Sequence, residues 1–113
     1  MLIFENENLI SQLNPDFQQL LLAKTRGVIC TSISEKYDFV SRFFAPAVGV
    51  KEDPVTGSAH TMLIPYWSVQ LGKTELVAKQ VSVRGGTLHC KNLNDRVEFG
   101  GKAVTFLVGE LNL

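Results

Sequence analysis

The groups able to do chemistry are concentrated in one run, Glu52-Asp53-Pro54-Val55-Thr56-Gly57-Ser58-Ala59-His60. It leads from an irregular segment, broken by Pro46 and Gly49, into a helical pattern that starts at Ser58. A helix start presents backbone N–H groups without intrahelical partners, and the macrodipole makes it attractive to anions. Gly57 lets a ligand approach the backbone closely, and Ser58 adds a hydroxyl. Asp53 brings a carboxylate to the same place, where it can hold an ammonium group or take part in proton transfer. The competing reading is structural: Asp, Thr and Ser before a helix are ordinary N-caps, and Asp-Pro is an ordinary turn. His60 alone reads equally as a core or capping histidine, and His89, in an amphipathic strand, reads as structural.

Other motifs are excluded by spacing. Gly72-Lys73-Thr74 lacks the phosphate-loop glycine five residues earlier, where Trp67 stands, and follows a helix rather than a strand. Gly57-Ser58-Ala59-His60 is not the Gly-x-Ser-x-Gly of a nucleophile elbow. No metal-ligand spacing is present, so no metal is expected. Two cysteines, Cys30 and Cys90, lie in apolar β-like runs and are expected as packed free thiols.

The elements that must position this loop follow from periodicity. Leu2 to Glu5 reads as a short strand, and Asn8 as the cap of a brief helix through Leu13. Asn14-Pro15-Asp16 opens a second helix with Phe17, Leu20 and Leu21 on one face. Val28–Ile33 and Tyr37–Phe44 read as strands. From Ser58, the residues Ala59, Met62, Leu63, Tyr66, Trp67 and Leu71 form a helical stripe, with Ile64 and Val69 off it. The pattern predicts a central, buried helix, kinked at Pro65 and stopped at Gly72. Leu76–Val83, Thr87–Lys91, Arg96–Phe99 and Val104–Leu111 complete a β-rich remainder. The fold class expected is α+β: one domain over 1–113, an antiparallel barrel or sheet curled around one central helix.

Composition narrows the partners. The 113 residues carry 11 basic and 11 acidic side chains without a like-charged block, which argues against a phosphate-tracking, nucleic-acid-binding surface. No run approaches the roughly 18 apolar residues of a membrane span. The Met1–Glu7 start has no basic region and is not a signal peptide, so a cytoplasmic location is the default expectation.

The run Arg42-Phe43-Phe44-Ala45-Pro46, Gly49 and Glu52–His60 resembles the second signature of PhzF-like proteins. The resemblance continues through Pro65-Tyr66-Trp67, Gly72-Lys73, Gln80-Val81-Ser82, Arg84-Gly85-Gly86 and Gly101-Lys102-Ala103-Val104. It implies a diaminopimelate-epimerase-like fold of two similar domains, each a β-barrel around a helix, with the active site between them and no metal or organic cofactor. The best-known member isomerises a dihydro-hydroxyanthranilate by a proton shift in phenazine synthesis. By this resemblance Asp53, Gly57 and Ser58 match substrate-binding positions, and Asp53 matches a residue that assists proton transfer. The family's proton-shuttling glutamate and a partner histidine lie in an N-terminal half without counterpart here.

The expectation is therefore the C-terminal portion of a PhzF-like isomerase, inactive alone, binding a small carboxylate or amino-acid-like metabolite at the Asp53–Ser58 loop. An N-terminal-half partner or a homo-oligomer, such as a dimer, is expected to complete it. The alternative is a truncated, non-catalytic remnant that folds and self-associates.

Overall fold

The computed structural model describes residues 1–112. Six strands form one sheet in sequence order: β1 Leu2–Ile3, β2 Val28–Ile33, β3 Phe39–Phe44, β4 Glu75–Gln80, β5 Gly86–Asn92 and β6 Val97–Gly100. Three helices accompany it: α1 Glu7–Ser11, α2 Phe17–Leu22 and α3 Gly57–Leu71. A 3-10 turn, Pro46–Val48, follows β3.

The expected α+β class holds, but the sheet is mixed rather than antiparallel. β1–β2 and β3–β4 pair in parallel, and the other three pairs are antiparallel. Connectivity explains this, because a parallel pair needs a long crossover. Here α1 and α2 lie between β1 and β2, and α3 lies between β3 and β4. Among the described residues β1 and β6 are open edges, so the barrel expected from the short strands is an open sheet.

Both faces of the sheet are covered, because side chains alternate along each strand. Ile29, Phe39, Leu76, Ala78, Leu88 and Cys90 point to α3 and meet Ala59, Leu63, Ile64 and Trp67. Cys30, Val40 and Phe44 point the other way, to Ile10 of α1, with Phe17 and Leu20 of α2 packed against them. The sequence pattern anticipates one central helix, and the second layer is a finding of the structure. α3 buries one side only. Met62 and Val69, counted with its apolar surface, are exposed.

Trp67 lies deep in the core. Its ring stacks on Phe39 at 5.8 Å, and its Nε1–H donates to Thr31 Oγ1 at 3.0 Å. Pro65 sits within an otherwise continuous α3, and Gly72 ends it in the left-handed region at φ 64°, where glycine carries no Cβ penalty. The cap of α1 is Asn6 rather than Asn8: the Asn6 side chain accepts from Leu9 N–H. Asp16 caps α2 by accepting from Gln18 and Gln19 N–H. Both cysteines are buried free thiols, as expected. Their burial pushes each thiol up to about 11.

The expected strand Val104–Leu111 does not form. Residues 101–112 have no regular structure and are exposed, with Val104 at 92% and Phe106 at 99% of full accessibility. The alternating pattern is strand-like, but a strand exists only with a partner to take its hydrogen bonds. Among the described residues nothing pairs there.

Candidate functional site

The loop between β3 and α3 is anchored at both ends. Arg42 on β3 makes a two-pronged bond to Glu52, Nε to Oε1 at 2.7 Å and Nη2 to Oε2 at 2.9 Å. Its Nη1 also donates to the carbonyls of Ile10 and Leu13 at the end of α1. Such planar, bidentate recognition is specific to arginine. Further along, Asp53 N–H donates to Phe43 O at 3.0 Å, and Ser82 Oγ donates to Pro54 O at 2.8 Å.

The loop then passes over Gln80, whose side chain is fully buried. Gln80 Oε1 accepts the Thr56 N–H at 2.8 Å, while its Nε2 donates to Asp53 O at 2.7 Å and Thr56 Oγ1 at 3.1 Å. Thr56 Oγ1 in turn donates to Asp53 Oδ2 at 2.7 Å. These contacts hold half-buried Asp53 against the first residues of the helix.

Thr56 stands at the N-cap of α3, in the extended conformation a cap residue adopts, yet its hydroxyl caps nothing. The ordinary-cap reading of this segment is therefore not what forms. Gly57, Ser58 and Ala59 N–H find no loop or side-chain partner among the described residues. Three orphan donors at the positive end of a 15-residue helix suit a carboxylate or another small anion.

Two clefts meet at this helix start. The larger, about 960 Å³, is lined by Gly57, Val55 and Phe99 and by the glycine-rich segments Gly85-Gly86 and Gly100-Gly101. Its polar lining includes Arg84, His89 and Lys102 but no carboxylate, a charge balance that favours an anionic ligand. The smaller, about 270 Å³, is lined by Ser58, Ala59, Met62, Phe43 and Arg26, among others. Gly57 thus faces one cleft and Ser58 the other. Asp53 lines neither and stands behind the helix start, tied to Thr56.

Of the two histidines, His60 is a core residue. Its Nδ1 lies 2.8 Å from Thr56 O, so the proton on Nδ1 donates to that carbonyl. Its Nε2 has no partner among the described residues, and the ring lies between Phe39 and Phe99. Burial holds its pKa below the usual 6.5, against the weaker opposite pull of the Thr56 carbonyl. His89, read from the sequence as structural, is exposed on the larger cleft.

Sequence reasoning did not single out Gln80, Phe99 or the Arg42–Glu52 pair for the loop. Gln80 and Arg42 occur in the runs that carry the family resemblance, but Arg42 meets Glu52 across 10 residues, and the Gln80 bonds to the loop and the Arg42 bonds to α1 span 24 to 32, beyond any local spacing rule. Among the described residues no group of three or more His, Cys, Asp or Glu side chains is gathered as for a metal. Among the described residues no helix is long and apolar enough to cross a membrane.

The family described as phenazine biosynthesis-like protein, PhzC-PhzF, matches residues 1–109. An isomerase of Pseudomonas aeruginosa, itself described as uncharacterized, is 49% identical over 113 residues, which are 100% of this chain and 44% of that protein. A similarly described isomerase of Halalkalibacterium halodurans is 53% identical over 111 residues, covering 96% of this chain and 42% of that protein. A PhzF-family crystal structure from Enterococcus faecalis superposes with a TM-score of 0.90 at 45% identity, covering 98% of this chain and 43% of that one. The chain spans less than half the length of the relatives it matches.

Proposed function

The chain belongs to the phenazine biosynthesis-like PhzC-PhzF family, and we propose that it forms one side of a proton-shift isomerase site for a small carboxylate or amino-acid-like metabolite. The observation that carries this reading is the uncapped start of α3, with three N–H donors and Asp53 held beside them. In this reading Gly57 and Ser58, which border the two clefts where they meet, bind the substrate carboxylate. Asp53, which lines neither cleft, holds a substrate ammonium or assists the proton shift through the carboxylate oxygen that Thr56 leaves free. The reaction needs no metal or organic cofactor, because a positioned carboxylate suffices to move a proton next to an acidifying group. The architecture is diaminopimelate-epimerase-like, with the sheet and α3 as one half of a two-part site. Asp53 here assists a proton shift whose principal acid–base group comes from the other half of the site, so this chain binds substrate but does not turn it over alone.

Calorimetry with a panel of small carboxylates and their uncharged amides tests this reading. Carboxylates are expected to bind and amides not, and Ser58→Ala to weaken binding about tenfold, the worth of a hydrogen bond to a charged group. Equal binding of acids and amides overturns it. Deuterium incorporation from heavy water into a bound substrate, abolished by Asp53→Asn, would show that the chain alone completes the site.

A second reading, a folded non-catalytic unit that self-associates, has its own support. Val104, Phe106 and Val108 form an exposed apolar segment next to the open edge of β6, and such features favour strand pairing between copies. Light scattering across a hundredfold concentration range tests it: a concentration-dependent dimer supports self-association, and a constant monomer mass excludes it.

A further inference from the structure

Gln80 uses every polar atom of its side chain on the loop. Its carbonyl oxygen takes the Thr56 N–H, and its two amide hydrogens go to Asp53 O and Thr56 Oγ1. The orientation of the amide is unambiguous, because a flip would set oxygen against the Asp53 carbonyl and N–H against N–H.

The consequence falls on Thr56. A threonine hydroxyl has one proton, and here it points to Asp53 Oδ2, an acceptor-only group. On the acceptor side the hydroxyl receives Gln80 Nε2. A threonine at this position of a helix ordinarily accepts from the second or third helical N–H. One acceptor lone pair remains, so it is position rather than saturation that matters: the bonds to Asp53 and Gln80 hold the Thr56 hydroxyl where it orients Asp53 and makes no cap bond to the helix.

We propose that Gln80 is the positioning residue of this site: it draws the Thr56 hydroxyl away from capping α3, so that the Gly57, Ser58 and Ala59 N–H groups stay available and Asp53 is fixed beside them. The proposal rests on the reading that a carboxylate binds at the start of α3. Gln80 itself touches no ligand and acts through Thr56.

Hydrogen exchange of the Ser58 and Ala59 amides tests it without any ligand. Removing the side-chain amide with Gln80→Met releases Thr56 to cap, and the Ser58 or Ala59 amide is expected to exchange roughly fivefold more slowly than in the wild type, the effect of one cap bond. Adding Thr56→Val removes the cap and returns the rate to the wild-type value. A merely structural clamp predicts the opposite, faster exchange on loosening the loop. Thr56→Val in the presence of Gln80 provides the second check and preserves side-chain volume. It is expected to leave the Ala59 amide within about twofold of wild type. Slower exchange in Gln80→Met reversed by Thr56→Val supports the proposal. Unchanged or faster exchange in Gln80→Met, or marked acceleration in Thr56→Val alone, overturns it. Titration with acetate separates this from the underlying reading: if the wild type binds no acetate, the carboxylate site falls while the exchange result still decides the role of Gln80.

Discussion

Gly57 and Phe99 are in contact across the start of α3, so closely that a Cβ on Gly57 would lie 3.0 Å from the Phe99 ring. Phe99 belongs to the edge strand β6 and also faces His60, with ring centroids 6.3 Å apart. An apolar ring thereby walls the larger cleft just where the helix presents its unpaired N–H groups. The contact explains why a helix starts on glycine although alanine is the better helix former by about 1 kcal/mol.

Gly57→Ala therefore is expected to leave stability nearly unchanged, its helix propensity offsetting the displacement of Phe99, but to weaken carboxylate binding severalfold. Adding Phe99→Ala relieves the crowding and restores binding. Thermal melts and acetate titrations of the two variants check this. A Gly57→Ala protein that binds as the wild type does would show that the ring is not a wall of the site.

Trp67→Ala is expected to destabilise the fold by about 3–5 kcal/mol, the cost of deleting a large core side chain. Trp67 stacks on Phe39, meets Tyr66 edge-on at 5.2 Å and satisfies Thr31. Loss on that scale leaves a domain of this size barely folded. Urea unfolding followed by circular dichroism measures it, and an unchanged midpoint would contradict the packing of α3 on the sheet.

Arg42→Ala is expected to cost about 3–5 kcal/mol, because it strands the largely buried Glu52 carboxylate and releases the end of α1. Arg42→Lys should recover only part, since an ammonium cannot reproduce the planar fork. Chemical denaturation of both variants checks the order. A lysine variant as stable as the wild type would reduce the pair to a simple charge contact.

How much of this was legible beforehand differs from element to element. Val28–Ile33 and the helix ending at Gly72 were readable because β-branched runs and a 3.6-residue stripe closed by glycine are local signals. The parallel pairing of β3 with β4 was not read, although a helix between two strands favours it. Val104–Leu111 misled for the complementary reason: its alternation is real, but a strand also needs a partner. At the site, the helix start with Gly57 and Ser58 was visible in sequence. The diversion of the Thr56 cap was not, because it depends on Gln80, which lies 24 residues away on β4.

His60 predicts a pH dependence. Burial depresses its folded-state pKa below the unfolded value of 6.5, so the unfolded chain takes up the proton first. Its contribution to stability is complete above pH 6.5 and is lost progressively as the pH falls from there toward the lower folded-state value. Asp38 also sits low: burial works to raise it, but Lys73 and the Val77 N–H outweigh that, so its contribution is lost only below 3.8. Denaturation midpoints of wild type and His60→Gln between about pH 5 and 7.5 should separate the two groups, with the wild-type slope flattened in the variant. An equal slope in both would assign the dependence elsewhere.

The central claim, that the start of α3 receives a carboxylate, is tested most directly by titrating the ¹⁵N-labelled chain with acetate against chloride at constant ionic strength. The account predicts saturable shifts concentrated at the amides of Gly57, Ser58 and Ala59, absent with chloride. Acetate shifts that are missing at these three residues, or spread without saturation over the exposed lysines and arginines, would contradict it.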